Sequence, residues 1–227
     1  MAKKMKVGLM FLILIILLLF AIGINIRKGS VDFNLKDLID TIIGKKELTL
    51  LESNILFKIR IPRILSAILF GGALSISGYL LQTFFKNPIV GPFVLGISSG
   101  AKLFVGFFIL STVNAPLISS NPFGMFLVSF AGSMLSMVIV LQFAKSAESI
   151  SMLIVVGIMI GYIASAGTNL MITFASEHKI ASLHNWSMGT FSGVTWPMLR
   201  VSTMIIIPTT LNTIIWIRIF LIISVNI

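Results

Sequence analysis

Cysteine is absent from the 227 residues, so the chain has no disulfide, no thiolate metal site and no thiol nucleophile. Charge is scarce too. Asp, Glu, Lys and Arg make up 11% of the sequence, and from Ser53 to Ala147 there is no carboxylate at all. Beyond that stretch the acidic residues are Glu148 and Glu177, both expected in loops. Proton- or sodium-coupled carriers commonly need an ionisable carboxylate inside the helix bundle, and metal or acid–base catalysis needs a cluster of ionisable groups. The sequence offers neither pattern. It therefore argues against an enzyme and against a carboxylate-coupled carrier, and it calls for no metal and no cofactor. His178 and His184 lie six apart in one expected loop, with Glu177 beside them. They read as solvated loop residues or, alternatively, as a metal or haem contact.

What the sequence does have is apolar length. Hydrophobic residues are 57% of the chain and the mean hydropathy is +1.07, a surplus that a soluble domain of this size cannot cover with polar groups. Continuous apolar runs extend over Val7 to Ile26, Ile64 to Phe85, Phe93 to Val113, Phe123 to Phe143, Ile150 to Ala175 and Met198 to Phe220. They predict an all-α, polytopic transmembrane helix bundle of about six spans, since each is near the ~20 residues that cross a bilayer. A barrel would instead alternate in segments of about ten residues. The net charge of +10 would suggest nucleic acid in a soluble protein, but here the cations flank apolar runs, so the expected surroundings are the lipid bilayer and not nucleic acid.

Residues 1–227 are expected to form one membrane domain, with spans two to six over 64–220. Between them and the first span lies a segment, 27–63, in which Leu35, Leu38, Ile39, Ile42 and Ile43 share one helical stripe. An amphipathic surface helix is expected there, capped by Asn34 and ended by Gly44. The cation tally disfavours a cytoplasmic N-terminus, because eight cations fall between Arg27 and Arg63. The lysines before the first span, at Lys3, Lys4 and Lys6, outweigh that tally because orientation follows charge near the first span ends, so the N-terminus is expected inside and segment 27–63 outside.

Two features inside the spans leave alternatives open. Lys102 either lines a wet cavity or snorkels to the interface. Small residues gather on helix faces: Gly71, Gly72, Ser75 and Gly78 in the second span, Gly96 and Gly100 at the start of the third, and Gly157 and Gly161 in the fifth. Such faces serve close helix packing, or they line a pathway.

Between the second and third runs the chain reads Lys86-Asn87-Pro88-Ile89-Val90-Gly91-Pro92-Phe93-Val94-Leu95-Gly96. The two prolines forbid continuous helix there, and irregular backbone at membrane depth has to be buried in protein or line a cavity. Together with Arg60-Ile61-Pro62-Arg63, the Gly71 to Gly78 stretch, the Gly157 region and Trp186-Ser187-Met188-Gly189 followed by Trp196, this order of motifs closely resembles the FecCD family. Its members are the membrane subunits of ABC importers for iron-siderophores, haem and cobalamin.

The resemblance covers roughly residues 30 to 208 and implies a permease polypeptide without catalytic residues of its own. It further implies a bacterial cytoplasmic membrane location, a cytoplasmic ABC ATPase, an extracytoplasmic substrate-binding protein and a second permease subunit, identical or not. Position by position, Arg60 and Arg63 would face outward to dock the binding protein, with lipid phosphate as the other candidate partner. Asn87 and Ile89 would belong to an inner gate, completed near Ser149 and Ser151. Members of this family have about ten bilayer-length spans. The tail from about Thr209 matches none of their motifs, so the alternative expectation is a truncated, non-transporting permease.

Overall fold

The computed structural model describes residues 2–29, 31–34, 36, 40–41, 43, 45, 47–110, 122–144 and 149–225. Among these residues the chain is helical with no strand: α1 Ala2–Arg27, α2 Leu50–Asn54, α3 Ile61–Phe84, α4 Ile97–Leu110, α5 Pro122–Ala144, α6 Ile150–Thr173, α7 Glu177–Met188 and α8 Trp196–Val225. Five stretches are long and apolar enough to cross a membrane, namely Met5–Arg27, Leu50–Phe84, Phe123–Phe143, Ser151–Thr173 and Trp196–Ile215. The third expected span differs. Its Phe93 to Gly96 portion is turn, α4 is described over Ile97–Leu110, and the last residues of the expected span, 111–113, lie outside the described residues.

The second span starts earlier than its apolar run suggests. Thr49 accepts from the Glu52 backbone N–H at 3.3 Å while the Glu52 carboxylate accepts from the Thr49 N–H at 2.9 Å, a reciprocal box that launches α2. A π-helical turn, Ile55–Arg60, then joins α2 to α3, with the Ile61 N–H donating to the Leu56 carbonyl. Pro62 gives the physical reason. It has no N–H, and its ring crowds the carbonyl four residues earlier, which a wider turn relieves. Arg60 and Arg63 thus lie within a continuous helical path, Leu50–Phe84.

The chain forms two compact units. One comprises Met1–Ala73 with Phe191–Ile227, the other Leu74–Thr190. In the first, α1 exposes its apolar side chains along its whole membrane-length stretch, as a helix bathed in lipid does. The Trp196 indole N–H donates to the Phe57 carbonyl at 2.8 Å, and Phe70 and Phe191 have ring centroids 6.2 Å apart. In α8, Pro208 interrupts the backbone ladder, and the Thr209 and Thr210 hydroxyls donate to the Ile205 and Ile206 carbonyls at 2.7 and 2.8 Å. With no water in lipid, these hydroxyls find their acceptors on the preceding turn of their own helix.

The second unit holds two buried clusters. Phe85, Val90, Leu95, Val140 and Leu153 form one; Val105, Leu110 and Leu183 form the other. Here α4 crosses α5 closely enough that a Cβ on Gly100 would meet the Ser136 hydroxyl and the Gly132 carbonyl. Leu183 belongs to α7, which overturns the loop expected around the histidines: Glu177, His178 and His184 all lie on this helix. Ser176 sits at its N-cap and Glu177 in its first turn, where a carboxylate suits the helix dipole. Among the described residues no His, Asp or Glu cluster could hold a metal. Of the amphipathic helix expected after Asn34, residues Leu35, Leu38, Ile39, Ile42 and Gly44 lie outside the described residues. The Lys36 N–H does donate to Asn34 Oδ1 at 3.3 Å.

Candidate functional site

The residues singled out by the sequence fall into two places, one in each unit. In the second unit the broken segment after α3 is a closed structure. Lys86 ends the helix with a φ of 47°, in the left-handed region. Around it the Asn87 N–H donates to the Gln82 carbonyl at 3.1 Å and the Lys86 N–H to the Thr83 carbonyl at 3.3 Å, the paired bonds of a Schellman stop. Pro88 follows directly, where a helix cannot continue. Asn87 Oδ1 then accepts from the Ile89 N–H at 3.0 Å, which turns the chain and leaves the Ile89 side chain 82% exposed.

The segment's next residues are buried. Val90 and Leu95 enter the same cluster as Leu153 of α6 and Val140 of α5. Ser149 caps α6, its hydroxyl accepting from the Met152 N–H at 3.2 Å. Asn87 and Ile89 thus neighbour Val90 in sequence, and Ser149 and Ser151 neighbour Leu153, two members of one apolar cluster. Ile89, Ser149 and Ser151 are exposed, and Asn87 is half-buried.

The glycines divide sharply. Gly96, at a φ of 72°, lies against α6 so closely that a Cβ would stand 2.8 Å from both the Gly157 carbonyl oxygen and the Gly161 nitrogen. Gly157 in turn faces Leu95, where a Cβ would meet the Leu95 Cα at 2.9 Å. Gly96, Gly100, Gly157 and Gly161 are therefore contact points of backbone on backbone or on small side chains. A Cβ on Gly71, Gly72 or Gly78 would meet nothing within 4 Å. Ser75 lies on the same helix. Deeper along the α4–α6 contact the Ser165 hydroxyl donates to Ser99 Oγ at 3.5 Å, and the Thr168 hydroxyl donates to the Ala164 carbonyl at 3.0 Å. Lys102 is half-buried on α4.

In the first unit Arg60 turns inward. It is 5% exposed, its guanidinium donates to the Ile26 and Val31 carbonyls, and it stands 4.8 Å from the Phe33 ring centroid. The fork of N–H groups suits this double contact, and the cation over the ring adds to it. Gly29 makes room: a Cβ there would come within 2.6 Å of the Arg60 Nη2. Arg63, one turn on, is half-buried, and its Nε is buried without a hydrogen-bond partner. Spacing along the sequence does not reveal this inward turn, because the accepting carbonyls belong to a different element. The π-helical turn and the Thr49 box were likewise missed, although Thr-Leu-Leu-Glu is a readable capping pattern.

Comparison with known proteins returns one family consistently. The model of the FecCD transport family matches residues 13–226. The vitamin B12 import system permease protein BtuC of Salmonella paratyphi A is 35% identical over 140 residues, 62% of this chain and 42% of that protein. The hemin transport system permease protein HmuU of Yersinia pestis is 28% identical over 198 residues, 87% of this chain and 57% of that protein. The chain thus spans about half the length of the curated relatives it matches. Among solved structures, a metal-chelate type ABC transporter in an inward-facing conformation shares the fold, with a TM-score of 0.68 and 24% identity over 85% of this chain and 56% of that one. With its membrane-length helices and a match over nearly its whole length, this multi-pass membrane protein belongs to the FecCD transport family.

Proposed function

We propose that the chain acts as a membrane-spanning permease subunit of an ABC importer for an iron-siderophore or related metal chelate, in the bacterial cytoplasmic membrane with its N-terminus inside. The family match over residues 13–226 carries this reading, and the relatives named for vitamin B12 and hemin import give the substrate class. ATP hydrolysis would reside in a separate cytoplasmic ATPase, with a substrate-binding protein outside and a second permease subunit beside this one. A Cβ on Gly72 or Gly78 of α3 would meet nothing within 4 Å, room that suits a further helix. An in-frame deletion strain should lose uptake of one labelled chelate among ferric siderophore, haem and cobalamin, and regain it with the gene restored. Unchanged uptake of all of them would remove the reading.

Within this function the Asn87–Val90 turn and the cap of α6 form the inner gate. The stop at Lys86 leaves Ile89 exposed while Val90 anchors the turn in the cluster that also holds Leu153, just after Ser149 and Ser151. Residues that gate must be reachable by water and still be fixed at their base, and this turn combines both. Cysteine at Ile89 should react readily with a membrane-impermeant thiol reagent applied to the cytoplasmic face, and the rate should change several-fold with nucleotide added to the assembled transporter. Cysteine at buried Val90 should stay unreactive. Reaction of the Ile89→Cys protein from the outer face alone would reverse both the gate and the orientation.

Docking of the binding protein was expected at Arg60 and Arg63. With the Arg60 guanidinium turned into its own chain, its part in docking is indirect: it holds the segment after α1 in place, and that segment presents the outer surface.

A further inference from the structure

Where α1 ends, Asn25, Lys28 and Gly29 meet Arg60, Arg63 and a wall of isoleucines around a cavity of about 90 Å³. Three of its lining residues are cations and none is a carboxylate. Asp32, whose Oδ1 accepts from the Gly29 N–H at 3.3 Å, offsets one of the three, and the remaining like charges repel unless a further anion sits among them. Arg63 adds a more specific sign, since its Nε is buried with no acceptor, a state that folded proteins rarely leave unanswered. Arg60 is fixed in place by the Ile26 and Val31 carbonyls, so part of the cation set is pre-organised before any ligand arrives.

Depth selects the anion. The apolar stretch of α1 runs from Met5 to Arg27, so Lys28 and Gly29 come directly after its end, at the level of lipid headgroups. Below them, the exposed flank of α1 offers Leu17, Leu18, Leu19 and Ile24 to acyl chains. We propose that this cavity seats the phosphate of an anionic phospholipid headgroup, held by Lys28 and Arg63 with Arg60 behind them, while the acyl chains lie along α1. A headgroup bound there would tie α1 to the start of α3.

The test uses the full chain, purified in nonionic detergent and stripped of lipid, and reads retained lipid by native mass spectrometry. Phosphatidylglycerol should be retained at roughly tenfold lower concentration than phosphatidylcholine, because charge-assisted contacts favour the anionic headgroup. Lys28→Gln and Arg63→Gln should each abolish most of that preference. Lys28 is exposed, so its variant folds even where an Arg63 variant does not. Retention of phosphatidylglycerol by both variants at the wild-type level overturns the proposal. So does inorganic phosphate binding as tightly as the lipid, which would make this a free-anion site. Loss of binding-protein capture by these variants with lipid retention unchanged would give the site to a protein carboxylate instead. No transport is measured, so these outcomes are independent of the importer reading.

Discussion

Replacing Gly96 with valine is expected to lower stability by about 2–6 kcal/mol, enough to leave little folded protein. About 1–3 kcal/mol comes from holding a β-branched residue at a φ of 72°, and a further ~1–3 kcal/mol from forcing its Cβ against backbone atoms that cannot move aside. The nearest obstacles, the Gly157 oxygen and the Gly161 nitrogen, are main-chain atoms of α6 at 2.8 Å, so no rotamer change offers relief. Gly189 supplies a clash-free comparison. It has nearly the same φ, 71°, with a ψ of 148°, and a Cβ there would meet nothing within 4 Å. Gly189→Ala should therefore show only the conformational cost of its own backbone, and Gly96→Ala a conformational cost plus the clash. Thermal unfolding of the detergent-solubilised variants measures both. A Gly96→Ala loss within the conformational cost alone, about 1–3 kcal/mol, would mean that the approach of the broken segment to α6 contributes nothing.

Arg60→Gln should free the segment after α1. The change removes a charged donor from two part-buried carbonyls and a cation from the Phe33 ring, a loss of about 1.5–3 kcal/mol. Local opening should then be about ten- to a hundredfold more frequent, read as faster hydrogen exchange at the Phe33 amide, which donates to the Arg27 carbonyl at 2.9 Å. Arg60→Lys should fall between, since an ammonium keeps the charge but lacks the planar fork that reaches both carbonyls. Exchange at wild-type rate in the glutamine variant would show that the segment is held by other contacts.

The long apolar runs were legible because the bilayer imposes length and continuity directly on sequence. The break at Asn87 to Pro92 was legible for an equally local reason, as proline removes both a donor and the room for a helix. Three things were not. The helix from Glu177 to Met188 mixes polar and apolar residues without a dominant period, and its stability comes from Leu183 packing against Val105 and Leu110, far away in sequence. The division of the glycines into those with and without room for a Cβ depends on what faces them, and Gly72 reads much like Gly157 until the neighbours are known. Arg60 beside Arg63 looks like an outward pair, and only the path of the chain through Ile26 and Val31 turns one of them in.

The turn before α4 has a consequence for the bilayer itself. Residues 92–96 are turn, and their peptide groups are not all taken up by helical bonds. Irregular backbone at membrane depth needs protein or water to meet its polar groups. Val90 and Leu95 bring protein to this segment, so water is called for only where it is exposed, at Phe93. Water held there would make the insulating layer locally thinner, at the place where the prolines stop one helix and Gly96 allows the next to begin.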